Sequence, residues 1–493
     1  MLFNLSSQLE TNIAQLKDFF SKDDIVKFRT FNSKDSKIHC GIVFTEGLSD
    51  KIIINENIIK PIINSINNNS LENSELSSYV ENHIIQCDGI EKTTDVNVIV
   101  NSILSGKTAL FIDGVLEVLI LSTTKNPTRA ISPPPSENSI RGSREGFTES
   151  ILVNINLLRK RILDPNLKIE FNEIGKRTKT KVCIAYIQDI APDAIINEVK
   201  KRLDDIDIDG ILESGYLEEF IADEPLSLFK TIGSTERPDV AAAKLLEGRV
   251  VIICDGTPFV LSLPYLFIEA FQASEDYYNN YIFSSLNRLL RLLCFILTTS
   301  TPAIYVALVS YHQEMIPTSL FMSIVTAREG VPFPTVLEAI IMLLTFEILR
   351  EAGIRLPQQI GQTTSILGAL VLGEAAVTAR FISAPIVIIV ALTGISGFAI
   401  PTMLESVIVL RFIFLIAAFI FGLYGYIFAV IGLFTYLMSI QSFGVNYMEY
   451  TDVINKENIK DTALRVPHWL MQYRPRFITK NRIRMRQRRQ GLH

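Results

Sequence analysis

The chain has 493 residues, of which 48% are hydrophobic and 20% are charged, and its formal net charge is −5. A single hydrophobic core rarely grows to this length, so two to four domains are expected. The mean hydropathy of +0.29 is high for a soluble protein and low for a chain embedded in a membrane throughout. The composition therefore excludes both extremes and favours a soluble region joined to a membrane region.

Two features indicate a reducing compartment for the N-terminal region. The five cysteines are widely spaced and odd in number, which argues against a disulfide framework and against zinc-ligand pairs. The first 30 residues contain acidic side chains and no continuous apolar core, so no signal peptide is predicted. We expect the large N-terminal region to lie in the cytoplasm.

The N-terminal half contains a duplication. Residues 37–56 match residues 181–198, and in both stretches a cysteine is followed ten residues later by an aspartate. Residues 106–120 match residues 248–262, and in both a glycine is followed seven residues later by an Asp-Gly pair. The repeated positions are Cys40 and Cys183, Asp50 and Asp193, Gly106 and Gly248, and Asp113 and Asp255. The offset of 142 to 144 residues predicts two tandem, related subdomains.

Each repeat has the signals of an α/β unit. An Asp-Gly pair between β-branched residues predicts a tight hairpin, because glycine adopts positive φ at low cost. Asp50 and Asp193 precede helix-like spacing and are predicted to cap helix N-termini. The proline run in the linker, residues 132–146, favours extended backbone. We predict a first α/β subdomain over residues 1–131 and a second over residues 147–285.

The following 160 residues, 286–445, are predicted to form a helical membrane domain. Residues 286–309 and 381–400 have the length and apolarity of spans, whereas residues 311–334 combine charges with three prolines and suit an interfacial or re-entrant element. The stretch 335–349 is predicted to cross incompletely. Beyond Arg411 the sequence leaves open one long helix or a hairpin near Gly422 and Gly425.

The C-terminal tail, residues 446–493, is basic. From Arg465 onward it contains eight arginines, one lysine and no acidic residue. Such a segment is expected to stay in the cytoplasm and to contact anionic lipid headgroups or neighbouring subunits. With both ends on one side the number of crossings is even, and the sequence favours four, with six as the alternative.

The most informative apolar stretch is residues 360–378, which is long enough to span a bilayer and contains the ionisable Glu374. A polar residue at that depth usually faces protein or water. In an oligomeric ring the face with Glu374 would concentrate cations, with Val371 as an apolar constriction. The predicted pore-lining face comprises Thr364, Leu367, Gly368, Val371, Glu374 and Thr378. The alternative face comprises Gln362, Ser365, Ala369, Leu372 and Ala376, with Leu372 as the constriction. A packing helix with no role in a pore remains a third interpretation.

Motifs for catalysis are absent from the sequence. There is no phosphate-binding glycine loop, no HExxH and no pair of histidines at metal-ligand spacing. The five histidines are scattered along the chain. The sequence gives no support for an enzyme, for a cofactor or metal site, or for a nucleic-acid partner.

Several longer motifs resemble the A subunits of GerA-type spore germination receptors. In the soluble half they are PSENSIRGSREGFTES (135–150), DIDIDGILESGYLEE (205–219) and TERPDVAAAKLLEGRVVIICDGTPFVL (235–261). In the membrane half they are YHQEMIPTSL (311–320), AREGVPFP (327–334), LREAGIRLP (349–357) and VALTGISGFAIP (390–401). The resemblance covers nearly the whole chain. Two departures are Ser143, where the family usually has proline, and Glu374, where glutamine is expected.

The resemblance implies a multi-pass protein of the spore inner membrane, with its N-terminal domain and C-terminal tail in the spore core. It implies a homo-oligomer, a pentamer, that acts with a transporter-like B subunit and a lipoprotein C subunit, and that releases monovalent cations when a small nutrient starts germination. A SpoVAF-like accessory or amplifying channel subunit is the nearest alternative. A non-conducting scaffold for other germination proteins and a secondary transporter are further alternatives.

Overall fold

The computed structural model describes residues 4–35, 37–65, 73–125, 134, 137, 141–355, 373–449, 460–462 and 464–484. Its N-terminal region contains two five-stranded sheets, and its C-terminal region is helical. The strands of the first sheet are β1 (Val26–Asn32), β2 (His39–Thr45), β3 (Ile90–Thr93), β4 (Thr108–Ile112) and β5 (Val118–Leu121). Those of the second sheet are β6 (Leu167–Ile174), β7 (Thr180–Ile187), β8 (Gly233–Thr235), β9 (Val250–Cys254) and β10 (Val260–Leu263).

Helices cover both faces of each sheet. The helices of the first subdomain are α1 (Leu9–Phe19), α2 (Lys51–Ile53), α3 (Lys60–Asn64), α4 (Asn73–Tyr79) and α5 (Val96–Leu104), with π-helical turns at Ile54–Ile59 and Val80–Ile84. Those of the second are α6 (Ile151–Arg161), α7 (Asp193–Asp204), α8 (Ser214–Ile221), α9 (Pro238–Leu246) and α10 (Glu275–Tyr278), with a 3₁₀ turn at Phe267–Phe271.

The two sheets have the same topology, as the duplication predicts. The strand order is β1-β2-β4-β5-β3 in the first sheet and β6-β7-β9-β10-β8 in the second, and all neighbours are antiparallel. The central strands β4 (TALFI) and β9 (VVIIC) are fully buried. Their β-branched and apolar side chains point to both faces, and this produces two hydrophobic layers per subdomain. The predicted α/β soluble region of two related subdomains is confirmed.

The Asp-Gly turns also repeat in detail. Gly114 and Gly256 have φ of 79° and 91°, in the region that glycine favours. The Asp113 carboxylate accepts a 2.9 Å hydrogen bond from the N–H of Leu9, the first residue of α1. Asp255 accepts the equivalent bond, 3.0 Å, from the N–H of Ile151 at the start of α6. Each hairpin therefore caps a helix that begins 104 residues earlier.

One of the two local caps predicted from sequence is wrong. Asp50 does cap its helix, because its carboxylate accepts a 2.8 Å bond from the Ile52 N–H. Asp193 is the first residue inside α7, whose N-cap is Pro192. Its side chain instead forms a 2.5 Å ion pair with Lys480 of the C-terminal tail. The proline shifts the start of the helix by one residue and frees Asp193 for this contact.

The subdomains join through a short backbone pairing and one buried ion pair. The Asp24 N–H donates to the Ile169 carbonyl at 2.9 Å, and the Ile169 N–H donates to the Lys22 carbonyl at 3.1 Å. This places the segment before β1 along the outer strand β6. Beside it the Arg159 guanidinium meets the Asp23 carboxylate at 2.6 Å, with neither side chain exposed.

The helical domain follows directly. Its helices are α11 (Tyr281–Tyr311), α12 (Thr318–Arg328), α13 (Thr335–Arg355), α14 (the helical residues 373–378), α15 (Ala384–Phe398) and α16 (Leu404–Ser439). Among the described helices, two are long and apolar enough to cross a membrane, Tyr281–Tyr311 and Pro401–Ser439. The first is longer than the predicted 286–309, and α13 extends six residues beyond the predicted end at 349. Residues 313–328 form a short 3₁₀ turn and α12.

The second long helix is broken at Gly422, where φ is 60° and ψ is −141°. The two arms fold back on each other: the Phe414 and Tyr426 rings lie 5.7 Å apart, and Leu410 and Leu437 belong to one buried cluster. Of the two predicted alternatives, the structure therefore has the hairpin. A β-branched or bulky residue would resist this backbone conformation, so glycine is required at the break.

Candidate functional site

Two buried groups of charged side chains tie the helical domain together. In the first, Arg411 on α16 is 1% exposed. Its Nη1 contacts the Glu347 carboxylate of α13 at 2.9 Å, and its Nε donates to the Thr298 carbonyl of α11 at 3.2 Å. Arg350, one turn along α13, pairs with the same Glu347 at 2.7 Å. A buried charge is tolerated when it is paired and hydrogen-bonded, so this group fixes three helices relative to one another.

The second group is centred on Glu338, which is fully buried at the start of α13. Its carboxylate accepts bonds from the Ser383 N–H at 2.9 Å and the Ser383 hydroxyl at 2.6 Å. Arg328 at the end of α12 approaches it at 3.3 Å. Ser383 is the N-cap position of α15. Glu338 thus holds the start of α13 beside the start of α15.

These five ionisable residues were not proposed as site residues from the sequence. In the sequence, Glu338 and Glu347 lie within the stretch 335–349 and indicate only that it crosses incompletely. A usable signal was present, because acids and arginines inside apolar segments require partners of opposite charge on neighbouring helices. What the sequence could not give was which arginine meets which glutamate.

Most of the residues predicted to line a pore lie outside the described residues. This holds for Thr364, Leu367, Gly368 and Val371 of the first face, and for Gln362, Ser365, Ala369 and Leu372 of the alternative face.

Three members of the two faces are described, and all lie on α14. Glu374 and Thr378 are exposed. Ala376 packs against the buried cluster that contains Val306 and Ile386. Within α14, therefore, the members of the first predicted face point away from the subunit and the member of the alternative face points into it.

A third network lies where the soluble region meets α11. Asp276, 2% exposed, pairs with Arg291 at 2.7 Å and with Arg288 at 3.0 Å. Arg288 also pairs with Asp461 of the tail at 2.9 Å, and the Tyr277 hydroxyl donates to the same Asp461 carboxylate. Burial would raise the pKa of Asp276, but the hydrogen bond and charge of Arg291 outweigh it and hold that pKa below its usual value. This network joins the second subdomain, α11 and the tail.

The described part of the tail packs on the second subdomain. Ile478 is fully buried in its core cluster, and the Lys480 N–H donates to the Ile190 carbonyl at 2.8 Å. The Arg474 guanidinium donates to the Leu246 carbonyl at 2.6 Å. The basic composition of the tail predicts contacts with headgroups or neighbouring subunits and does not predict this docking within the chain. The adjacent apolar residues Phe477 and Ile478 in a basic segment were the available signal.

Within the described residues, no group of three or more His, Cys, Asp or Glu side chains is arranged to hold a metal ion. The buried charged groups described above consist of arginine–carboxylate pairs that join helices.

Comparison with known proteins gives a consistent result. The family described as Bacillus/Clostridium GerA spore germination protein matches residues 14–477. The chain is 42% identical over 479 residues to spore germination protein KA of Bacillus subtilis, covering 97% of this chain and 88% of that protein. It is 44% identical over 475 residues to the membrane protein YfkQ of Bacillus subtilis, covering 96% of this chain and 91% of that protein.

A solved structure is also similar, the crystal structure of the N-terminal domain of the A subunit of the Bacillus megaterium spore germinant receptor GerK3. It is 33% identical to this chain with a TM-score of 0.40, covering 54% of this chain and 98% of the solved one.

Proposed function

Since the chain belongs to the GerA family of spore germination proteins, we propose that it is the A subunit of a nutrient-responsive germinant receptor. In this proposal copies of the chain form a ring, a pentamer, in the spore inner membrane, and the ring conducts monovalent cations when a nutrient binds. A transporter-like B subunit and a lipoprotein C subunit complete the receptor. The soluble region and the tail face the spore core.

The helical domain supports a multi-pass arrangement. The base of the hairpin, with Met403 and Ile440, packs against Phe267 and Phe271 of the soluble region. At the opposite end the Tyr311 hydroxyl bonds to the carbonyl of Phe419, near the Gly422 break. The start of α11 and both ends of α16 therefore lie on the side of the soluble region, and Tyr311 lies on the other.

The remaining helices alternate between these two ends. The α13 helix begins near Val306 and has Glu347 near Thr298, so it runs back toward the soluble region. The α15 helix runs in the same direction, from Ser383 beside Glu338 to the end of α16 nearest the soluble region. A crossing by residues 360–378, as predicted from the sequence, would connect them. This order supports six crossings, the alternative to the four favoured from sequence.

The single observation that most supports conduction is the orientation of α14. Glu374 and Thr378 face outward while Ala376 packs inward. The outward side of a subunit is the side that can face the axis of a ring. A ring of Glu374 carboxylates would concentrate cations, and Val371, one turn earlier, would form an apolar constriction. The face containing Leu372 is the competing choice.

The experiment uses spores that depend on this receptor. Glu374→Lys reverses the charge at the proposed ring, and nutrient-triggered release of K⁺ should be lost while the protein remains in the membrane. Glu314→Lys is the matched control, since Glu314 is also exposed but lies in the turn after α11. Normal K⁺ release in Glu374→Lys spores would contradict the proposed path. Loss in both variants would indicate a general effect of charge and would equally count against it.

A further inference from the structure

The tail places an aromatic side chain beside the start of α11. Trp469, the only tryptophan of the chain, lies 6.5 Å from the ring of Tyr281. It is 66% exposed, and Ile282 and Phe283 next to Tyr281 are 65% and 55% exposed. Tryptophan and tyrosine concentrate where a membrane protein leaves the bilayer, because one part of each ring is apolar and another is polar. The position of Trp469 is that of an interfacial side chain.

Next to Leu470, a cleft lies between the tail and the second subdomain. Its three acidic side chains already have basic partners. Glu247 pairs with Arg484 at 2.9 Å, Glu269 with Arg249 at 2.7 Å, and Asp461 with Arg288 at 2.9 Å. The acidic side chains of the cleft therefore do not offset any further positive charge.

Beyond Arg249, Arg482 and Arg484, the cleft is lined by three further cations, Lys460, Arg474 and Arg476. Within the described part of the chain none of them forms an ion pair with a carboxylate. Among the described residues, the Arg474 guanidinium donates to carbonyl oxygens, those of Leu246, Asn481 and Ile483. Carbonyl oxygens satisfy its N–H groups without cancelling its charge. The cleft thus has a net positive charge that the described residues leave unbalanced.

We propose that this cleft binds the phosphate of an anionic phospholipid whose acyl chains lie against the exposed apolar surface at the start of α11. Arginine and lysine are the usual partners of phosphate oxygens, and basic side chains at a membrane surface favour anionic lipids. A free anion would use the charge but not the adjoining aromatic and apolar side chains. A lipid uses both. The proposal rests on α11 crossing the membrane, as proposed above, and does not depend on ion conduction.

Bound there, the lipid would stabilise the docked tail. Asp461 at one end of the cleft is the residue that pairs with Arg288 of α11, and Trp469 lies eight residues farther along the tail. The lipid would therefore contact the same segment that joins the soluble region to the first long helix. In this proposal anionic lipid is a structural component of the contact between the soluble region, the tail and α11.

The test follows the fluorescence of Trp469 in the full-length chain in nanodiscs. The discs contain phosphatidylcholine alone or with increasing phosphatidylglycerol, in each case with acyl chains brominated near the glycerol. A third series holds phosphatidylcholine discs in buffer with inorganic phosphate. We expect bromine to quench Trp469 in every disc, and we expect a saturable shift of its emission only with phosphatidylglycerol.

The informative variant is Lys460→Gln combined with Arg476→Gln, because neither side chain forms a hydrogen bond among the described residues. Each basic side chain near an anionic surface contributes roughly fivefold in affinity, so the half-saturating fraction of phosphatidylglycerol should rise by roughly 25-fold or pass out of range. The matched control is Lys176→Gln with Arg177→Gln, which removes two exposed charges from a distant loop and should leave the titration unchanged. In phosphatidylcholine discs the Trp469 emission of each double variant should equal that of the parent chain, and this equality shows that the tail is docked.

Each other outcome overturns the proposal. If the Trp469 emission is the same in discs with and without phosphatidylglycerol, the charge of the lipid headgroup has no role. A shift of the Trp469 emission with inorganic phosphate would indicate that the cleft binds a soluble anion. An absence of quenching by bromine would show that Trp469 does not lie at the membrane interface. Equal effects of the two double variants would leave only general electrostatic attraction. None of these results bears on K⁺ release, so failure here is distinguishable from failure of the channel proposal.

Discussion

Asp23→Asn should open the joint between the two soluble subdomains. Asp23 and Arg159 are both fully buried, and they form the only ion pair between the subdomains within the described residues. Burial raises the pKa of Asp23 and lowers that of Arg159, so each group depends on the other to remain charged. After the substitution Arg159 keeps its bonds to the carbonyls of Asp164 and Leu167 but loses its counter-charge.

Removing one partner of a buried pair costs about 3–5 kcal/mol, because the other charge stays buried. At 1.4 kcal/mol per factor of ten, this is a roughly 100- to 4,000-fold larger opening constant. The assay is hydrogen exchange of the full-length protein, followed at the N–H groups of Asp24 and Ile169, which bond across the joint. Exchange there should accelerate by that factor, while β4 and β5 in the first sheet should exchange as before.

Two further variants make the reasoning refutable. Asp207→Asn breaks an ion pair whose side chains are 72% and 67% exposed, and such a pair contributes about 1 kcal/mol or less, so exchange should change by less than about fivefold. Replacing both partners, Asp23→Leu with Arg159→Met, should restore most of the protection because no lone charge remains. A double variant as unstable as Asp23→Asn, or a single variant no worse than the control, would refute the assignment of stability to this pair.

Three other predictions concern the soluble region. Gly256→Val should lower its stability by about 1–3 kcal/mol through backbone strain at positive φ, because an added Cβ meets no atom within 4 Å there and strain is the main cost. Gly256→Asn should cost less, since asparagine adopts positive φ more readily than a β-branched residue. Equal melting temperatures for the two variants would argue against the strain. Asp255→Ala removes the cap on α6 and should cost about 1 kcal/mol, which faster exchange at Ile151 would reveal and unchanged exchange would deny. The pKa of Asp276 is lowered on folding, so its stabilising effect is present above its unfolded pKa of about 3.9 and is lost as pH falls through the lower folded value. Hydrogen exchange at the start of α11 should therefore stay constant from pH 7 to 5 after correction for the intrinsic rate. Asp276→Asn should abolish any loss of protection that the parent chain shows below pH 4.

The repeated pattern allowed the soluble fold to be predicted because it records local requirements. Asp113-Gly114 and Asp255-Gly256 are hairpin turns for reasons contained within four residues. Their second role, capping helices that begin 104 residues earlier, depends on tertiary packing and has no local signal. Asp193 shows that a local signal can also mislead. Its position in the sequence predicts an N-cap, but Pro192 occupies the N-cap position and Asp193 is the first residue inside α7.

In the helical domain the sequence located the apolar segments but not their partners. Either Gly422 or Gly425 could have broken the last helix, and only packing against α11 selects the first. The pairing of Glu347 with Arg411 joins residues 64 positions apart, and periodicity does not encode such a distance. The docked tail was missed because basic composition suggested lipid or subunit contacts, and one buried isoleucine gave little counter-signal.

The proposed ion path lined by residues 360–378 is tested most directly by cysteine modification during conductance. Val371→Cys and Leu372→Cys chains would be reconstituted separately in planar bilayers and exposed to a small cationic thiol reagent, with the parent chain as the control for its five native cysteines. We expect cation current in all three, blocked by the reagent only in Val371→Cys. Block only in Leu372→Cys would select the alternative face. Current without block in either variant, or no current in any of the three, would contradict the claim.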